Sequence, residues 1–446
     1  MKALQRKGLS ALLAMMLMTT AGCGVQTTPV PEVLPEPEVE QSQQETPPAP
    51  IPVVEQASAT ISAVGDVLMH LPVIKTGTVD SEGEYSFSEM FARFAPYVEG
   101  ADWAVANLET TLCGTDKGYS YQGYPRFNCP DGIVGSLKEA GFDLLLTANN
   151  HTFDTKSTGF FRTLEVIDQF ELERIGTRRT AEEEPFLVKD IDGVRVGMLC
   201  YTYETEDGDP ERKSLNGIPM TEETAPLINT FHYGRLEEFY AELEGQLKAM
   251  EEAGAEAAVL FLHWGNEYQL QASQSQKEMA QRICDLGVDV IIGGHPHVVQ
   301  PVELLQSQTD PEHRMVCLYS MGNIVSNQRE KQIPSAKGYT EDGVMFSVTF
   351  TKYTDGTVLL RDVDVLPTWV NLTVSEETGR KVYEILPLSP GISDWQETFG
   401  LSDGELADAR ASYERTQGIV AEGMEVVETF LEEQETPEGT FLDHGV

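Results

Sequence analysis

Five stretches of this chain place acids, amides or imidazoles directly after an apolar run. Gly65-Asp66 follows Ile61–Val64, and Asn107-Leu108-Glu109 follows Trp103–Ala106. Asn149-Asn150-His151 closes Leu144–Thr147, His263 closes Ala257–Leu262, and His295-Pro296-His297 comes just after Val288–Ile292. Imidazole nitrogens together with carboxylate oxygens suit zinc, manganese or iron better than calcium. The chemistry such a set could do is metal-assisted. Asp66, Asn107 and Glu109 could face one ion, an asparagine of Asn149-Asn150 could add a carbonyl oxygen, and His295 and His297 could add imidazoles; His263 could join them, though a lone histidine closing an apolar run is more often structural. Alternation along a strand puts Asn107 and Glu109 on one side. In an extended segment His295 and His297 would also share a side, and Pro296 fixes the φ between them.

Three residues could move or orient protons. His151 is placed to donate a proton, and Asp154, three residues on, could orient it through its second ring nitrogen. Glu267 follows His263 closely and could be a general base or an orienting carboxylate. Tyr268, Asn107 and Asn323 are candidates for substrate contacts, Asn323 at the cleft rim after the run Met315–Ser320. Arg126, beside Tyr124, could hold a substrate carboxylate; a solvated arginine explains it equally well. His70 stays undecided, whereas His232, His313 and His444 read as ordinary surface residues.

The elements that must carry these groups alternate strand with helix. Strands are expected at 60–64, 103–106, 144–147, 194–201, 257–262, 288–292 and 315–320. Helices are expected at 86–97, 133–140, 159–169, 236–253 and 274–286. Short apolar strands separated by amphipathic helices argue for buried sheets covered by helices. Such α/β sheets bind ligands beyond the carboxyl ends of their strands. Val344–Tyr353 and Thr357–Val365 flank Thr354-Asp355-Gly356 and read as an antiparallel hairpin. The expected organisation is a folded domain over 58–370 and a helical extension over 371–446, with helices at 402–417 and 419–433.

The amino-terminal 57 residues are of another kind. Lys2, Arg6 and Lys7 precede the short apolar stretch Leu9–Met18, the build of a secretory signal over 1–22. Ala21-Gly22-Cys23 looks like a lipoprotein cleavage site, with Cys23 lipidated. Residues 24–57 contain eight prolines, six glutamates and no lysine or arginine. That composition cannot build a core. As a tether it would reach about 100 Å at polyproline-like rise. The expected location is the outer face of the cell membrane, lipid-anchored, or secreted if not lipidated.

A net charge of −41 argues against nucleic-acid binding, because such a surface repels polyanions at long range. The cysteine pattern contains no CxxC. Cys200, Cys284 and Cys317 sit in apolar patterns and read as packed thiols. Cys113 and Cys129 flank a loop rich in Gly and Tyr, and a disulfide there is expected.

The ordered set Gly65-Asp66, Asn107-Leu108-Glu109, Asn149-Asn150-His151 with Asp154, His263-Trp264-Gly265 with Glu267-Tyr268, Gly294-His295-Pro296-His297 and Gly322-Asn323 resembles the bacterial capsule synthesis proteins of the CapA type. The resemblance covers roughly 58–330. It implies a four-layer α/β/β/α sandwich of the calcineurin-like metallophosphoesterase kind. It implies one or two transition-metal ions (Mn, Zn or Fe) on Asp66, Glu109, Asn150, His263, His295 and His297, with His151 protonating a leaving group. Two positions depart from the phosphoesterase pattern: Leu68 stands where a histidine is usual, and Glu109 replaces a bridging aspartate. The implied partners are an anionic polymer such as poly-γ-glutamate, the membrane through the lipid anchor, and capsule synthase or export components. The implied activity is hydrolysis or transfer at a phosphoester or γ-amide, or else non-catalytic binding of the polymer for export or anchoring.

Overall fold

The computed structural model describes residues 52–206, 208, 212–375 and 379–437. The signal, Cys23 and most of the tether lie outside the described residues; the last tether positions, from Glu55, already belong to the first strand.

The strands that build the two main sheets are, in chain order, β1 (Glu55–Val67), β2 (Trp103–Leu108), β3 (Leu144–Leu146), β4 (Glu173–Ile175), β5 (Leu187–Ile191), β6 (Val194–Tyr203), β7 (Thr230–Phe231), β8 (Ala257–His263), β9 (Val290–Gly294), β10 (Val302–Gln306), β11 (Arg314–Leu318), β12 (Asn323–Val325), β13 (Asp342–Tyr353), β14 (Val358–Val374) and β15 (Lys381–Pro387). The helices are α1 (Leu71–Ile74), α2 (Ser88–Phe91), α3 (Ala95–Val98), α4 (Gly132–Glu139), α5 (Lys156–Gln169), α6 (Leu236–Glu252), α7 (Gln274–Cys284), α8 (Trp395–Phe399) and α9 (Asp403–Glu433).

One sheet has the order β15-β14-β13-β1-β2-β3-β4, with β12 paired to β1. The other has the order β7-β6-β8-β9-β11-β10, with β5 paired to β6. Apolar side chains between the sheets form one core, including Ile61, Val105 and Leu144 from the first and Val196, Val259 and Val290 from the second. The first sheet's outer face packs on α2, α3, α4 and α5 through residues such as Phe91, Val98, Leu137 and Ile167. The second sheet's outer face is covered by α6 and α7 through Phe239, Leu243, Met279 and Ile283. The layers therefore run helix, sheet, sheet, helix, as expected. Residues on both faces of β2, β3, β8 and β9 are buried, which is why their sequences are apolar without alternation.

Strands β1 to β4 are parallel, and so are β6, β8 and β9. Parallel strands send all their carboxyl ends to one edge. The register pairs Asp66 with both Asn107 and Asn323, so three chemical residues arrive side by side. A register shift between Val64 and Asp66 kinks β1 there. Gly65 permits the kink: a Cβ on it would lie 1.9 Å from the Gly322 carbonyl oxygen, which accepts the Asp66 N–H.

Three expectations change. The hairpin at Thr354-Asp355-Gly356 forms, but β14 runs on to Val374, so a boundary at residue 370 falls inside a strand that pairs onward with β15. The helix expected over 86–97 is two short helices, α2 and α3. The two helices expected at 402–417 and 419–433 are one, α9, capped by Ser402 in a capping box with Glu405. Its buried residues Ala409, Ser412, Thr416, Val420, Met424, Val427 and Leu431 follow a three-or-four spacing straight past Gly418. A glycine in a helix costs about 1 kcal/mol, and burial of that stripe outweighs it. Val420, Met424, Val427 and Leu431 join the core between the sheets, so α9 is part of the body of the fold.

Candidate metal centre

The centre is built on Glu109. It lies one residue past β2, is fully buried, and among the described residues neither carboxylate oxygen has a hydrogen-bond partner. A bare carboxylate inside a protein is costly unless a cation compensates it. Around it stand His263 (Nε2 3.5 Å from Oε1), His297 (Nδ1 4.0 Å from Oε2) and His151 (Nε2 3.9 Å from Oε1). Two groups of three place ligand atoms within 4.8 Å of one another: Glu109, His263 and His295; and Asp66, Glu109 and His297. Glu109 belongs to both. The residues present thus fit divalent ions, with Glu109 as the shared ligand, and Leu68, buried in the core, takes no part.

Each ligand is aimed by neighbours. Asp66 accepts from Asn107 Nδ2 at 2.7 Å, and Asn107 Oδ1 accepts from Asn149 at 3.2 Å. Asp66 Oδ2 is 2.9 Å from His297 Nδ1, which is also 3.1 Å from Asn323 Oδ1. Gly294 lets the Asp66 carboxylate approach, since a Cβ there would come to 3.1 Å from its oxygen. Asn150 Oδ1 is 2.8 Å from His263 Nε2. His263 is anchored by the next residue: Trp264 is buried, stacks on Tyr319 and donates its indole N–H to the Tyr319 carbonyl.

Electrostatics follow from burial against charge. Burial opposes a charge on His297, but Glu109, Asp66 and Glu267 prevail and push it up to about 9. Burial, then His263, His297 and His151, hold His295 well below the usual imidazole range. Burial would raise Asp66, yet its bond to His297 holds it below the usual carboxylate range. A site that draws positive charge onto one imidazole and keeps another neutral suits a cation. His295 Nδ1, moreover, is buried without a hydrogen-bond partner among the described residues, and His295 belongs to the group with Glu109 and His263.

His151 and Asp154 form a dyad. His151 Nδ1 is 2.7 Å from Asp154 Oδ2, which also accepts the Phe127 N–H at 2.6 Å. The Phe127 ring stands edge-on to His151, centroids 4.6 Å apart. Burial would lower His151, but Asp154 and then Glu109 raise it above its ordinary value. Because Asp154 can only accept when ionised, it holds the proton on Nδ1 and turns Nε2 toward Glu109.

Several expected placements differ. His295 and His297 do not sit in an extended segment. Their φ values are +96° and +56°, and β9 has already ended at Gly294, yet the rings lie 5.9 Å apart beside the same centre. Left-handed backbone at bulky residues is strained and is tolerated where surrounding structure over-determines it. Asn323 is buried, not at the rim, and donates to the His297 carbonyl at 3.1 Å; Asn107 is buried as well, against Asp66. Glu267 is exposed and lines a cavity of about 480 Å³ beside His295, with Tyr203, Glu204, Glu206 and Tyr233. Tyr268 is half-buried, its ring 6.2 Å from His297 and its hydroxyl accepting from Gln328. Arg126 is exposed on the loop that supplies Phe127. His70 packs edge-on against Phe127, and its Nδ1 accepts the Asn327 N–H.

The disulfide is not formed. Cys113 and Cys129 are both free and buried. Cys129 packs with Leu112, Ile133 and Leu137, whereas Cys113 lies against Gly159 of α5. The loop is closed instead by Asn128, which accepts the Cys113 N–H at 2.7 Å and donates to the Gly114 and Ser120 carbonyls. Cys200, Cys284 and Cys317 are buried thiols, as expected.

The family described as bacterial capsule synthesis protein PGA_cap matches residues 60–328, the stretch that carries every residue of this centre. The chain belongs to that family. It is 26% identical to the capsule biosynthesis protein CapA of Bacillus anthracis over 342 residues, covering 76% of this chain and 73% of that one. It is 24% identical to the PGA biosynthesis protein CapA of Bacillus subtilis (strain 168) over 269 residues, covering 60% of this chain and 63% of that relative's length. Among solved structures it is similar to the NAD nucleotidase NadN of Haemophilus influenzae (11% identity, 86% of this chain and 60% of that one, TM-score 0.43) and to the calcineurin-like phosphoesterase YfkN of Bacillus subtilis (15%, 81% and 98%, TM-score 0.37). The layer order seen here, not these loose likenesses, defines the fold.

Proposed function

We propose that this family member is a metal-dependent hydrolase or transferase of capsule synthesis, acting on a phosphoester or γ-glutamyl amide of an anionic polymer such as poly-γ-glutamate. The observation that carries the reading is the Glu109 carboxylate, fully buried, without a hydrogen-bond partner among the described residues, and ringed by Asp66, His263, His295 and His297. A divalent ion held by these residues and Asn150 would supply Lewis acidity toward a phosphoryl or carbonyl oxygen. His151, with its Nδ1 proton fixed by Asp154, delivers a proton from Nε2 to the departing group. Tyr268 and the exposed Arg126 offer an aromatic wall and a cation for the polymer. Zinc, manganese and iron all fit nitrogen and oxygen donors.

The wider assignment rests on the sequence: Cys23 lipidated, the tether spanning outward, and the domain displayed at the outer face of the cell membrane beside capsule synthase or export components. Intact-mass analysis of the amino-terminal peptide tests the anchor. Elemental analysis of the purified protein, paired with turnover of a phosphodiester and of poly-γ-glutamate, tests the enzyme. A metal-free preparation that stays metal-free on reconstitution would end this reading.

A second reading is a non-catalytic component that binds the polymer for export or anchoring. One feature favours it: Leu68, buried, stands where the phosphoesterase pattern has a histidine, so the centre has one candidate metal ligand fewer than that pattern. Undiminished polymer binding by a metal-free His151→Ala protein, without turnover in the wild type, would select that reading.

A further inference from the structure

We infer that Asn216 is a positioning residue for the His151–Asp154 dyad, its side-chain amide locking the Asp154 carboxylate in the orientation that fixes the proton on His151. The inference rests on His151 being the proton donor. Asn216 lies far from the dyad in sequence, at the tip of the hairpin formed by Ser214–Leu215 and Ile218–Pro219. Its φ is +49° and that of Gly217 is +67°, the pair of left-handed residues a tight two-residue turn needs. By itself that explains an Asn-Gly turn and nothing more.

The side chain does something a turn does not require. Asn216 Nδ2 donates to Asp154 Oδ1 at 2.8 Å and to the Pro125 carbonyl at 2.9 Å. The other carboxylate oxygen, Oδ2, takes the Phe127 N–H and faces His151 Nδ1. Both Asp154 oxygens are thereby engaged by donors, from three separate segments. An amide nitrogen only donates, so Asn216 occupies Oδ1 and leaves Oδ2 as the acceptor for the imidazole N–H. The 3.4 Å approach of Asn216 Nδ2 to His151 Nδ1 pairs two donors and marks close packing, not a further bond. Residues that orient the ligands of a metal site typically change activity by 10–100-fold when mutated, and an effect of that size is expected here.

The test separates the amide from the turn. Asn216→Gly keeps the left-handed backbone and removes the amide; Asn216→Asp keeps the shape and replaces a donor with an acceptor. In the full chain labelled with nitrogen-15 histidine and stripped of metal, the His151 Nδ1 proton, assigned by its loss in His151→Gln, is expected to exchange slowly. Both Asn216 variants should speed that exchange about tenfold or more, with Asn216→Gly still unfolding in one cooperative transition. On a phosphodiester or poly-γ-glutamate probe that the wild type turns over, kcat should fall about tenfold with KM unmoved. If Asn216→Gly keeps wild-type exchange, Asn216 is only a turn residue and the inference fails. Wild-type turnover by His151→Gln would instead remove the proton-donor reading, a result visible whatever the exchange shows.

Discussion

Asp66 Oδ2 and His297 Nδ1 lie 2.9 Å apart although 231 positions separate them in the chain. The contact joins the end of β1, in one sheet, to the loop after β9, in the other. The centre therefore straddles the two sheets, and its geometry depends on how they pack.

The Glu109 carboxylate should govern both metal content and stability. In metal-free protein Glu109 shares the one His297 imidazolium with Asp66, which lies nearer to it, so two buried carboxylates are only partly compensated and Glu109→Gln should melt higher than metal-free wild type. Addition of manganese or zinc should raise the wild-type melting temperature, by an amount equivalent to about 2.7 kcal/mol at a hundredfold excess over Kd. The variant should show no such rise. Differential scanning calorimetry with and without metal checks both halves.

Asp154→Asn replaces an acceptor with a group that can present a donor to His151 Nδ1. Turnover should drop about 10–100-fold while bound metal, measured by elemental analysis, stays at the wild-type level. Loss of metal together with activity would show that Asp154 serves the ligands instead.

The five described cysteines should titrate as thiols only after denaturation. Burial pushes Cys200 up to about 12 and Cys284 up to about 11, which suppresses the reactive thiolate. Reducing agent should leave the melting temperature unchanged. Asn128→Ala, in contrast, should destabilise the 113–129 loop by about 2 kcal/mol, because three groups lose a buried partner. Thiol counting and denaturant unfolding decide between the two closures.

Docking of α9 should depend on two residues. Gly423 allows the helix to approach β10, where a Cβ would meet the Val302 carbonyl oxygen at 1.9 Å. Arg415 holds the buried Asp342 carboxylate through two bonds of 2.7 Å. Arg415→Met leaves that charge unpaired and should cost about 3–5 kcal/mol. Gly423→Ala should also lower stability, despite alanine's better helix propensity. Chemical denaturation of each variant provides the measurement.

The local features were legible in the sequence because they are written in short-range patterns. Apolar runs ending in Asp66, Glu109, His151, His263 and His297 announced strands that deliver ligands to one edge, and strand direction did the rest. The span read as family-like, roughly 58–330, coincides with the matched stretch 60–328. What the tertiary structure alone decided are matters of competition between distant groups. Whether Cys113 meets Cys129 depends on which core each side chain enters. Whether α9 breaks at Gly418 depends on the surface it finds to bury its stripe. Asn216 signals a turn in sequence, and only folding brings its amide to Asp154. Periodicity encodes the direction a side chain takes from its own strand or helix; the partner it meets is fixed by the packing of two sheets, which no local pattern specifies.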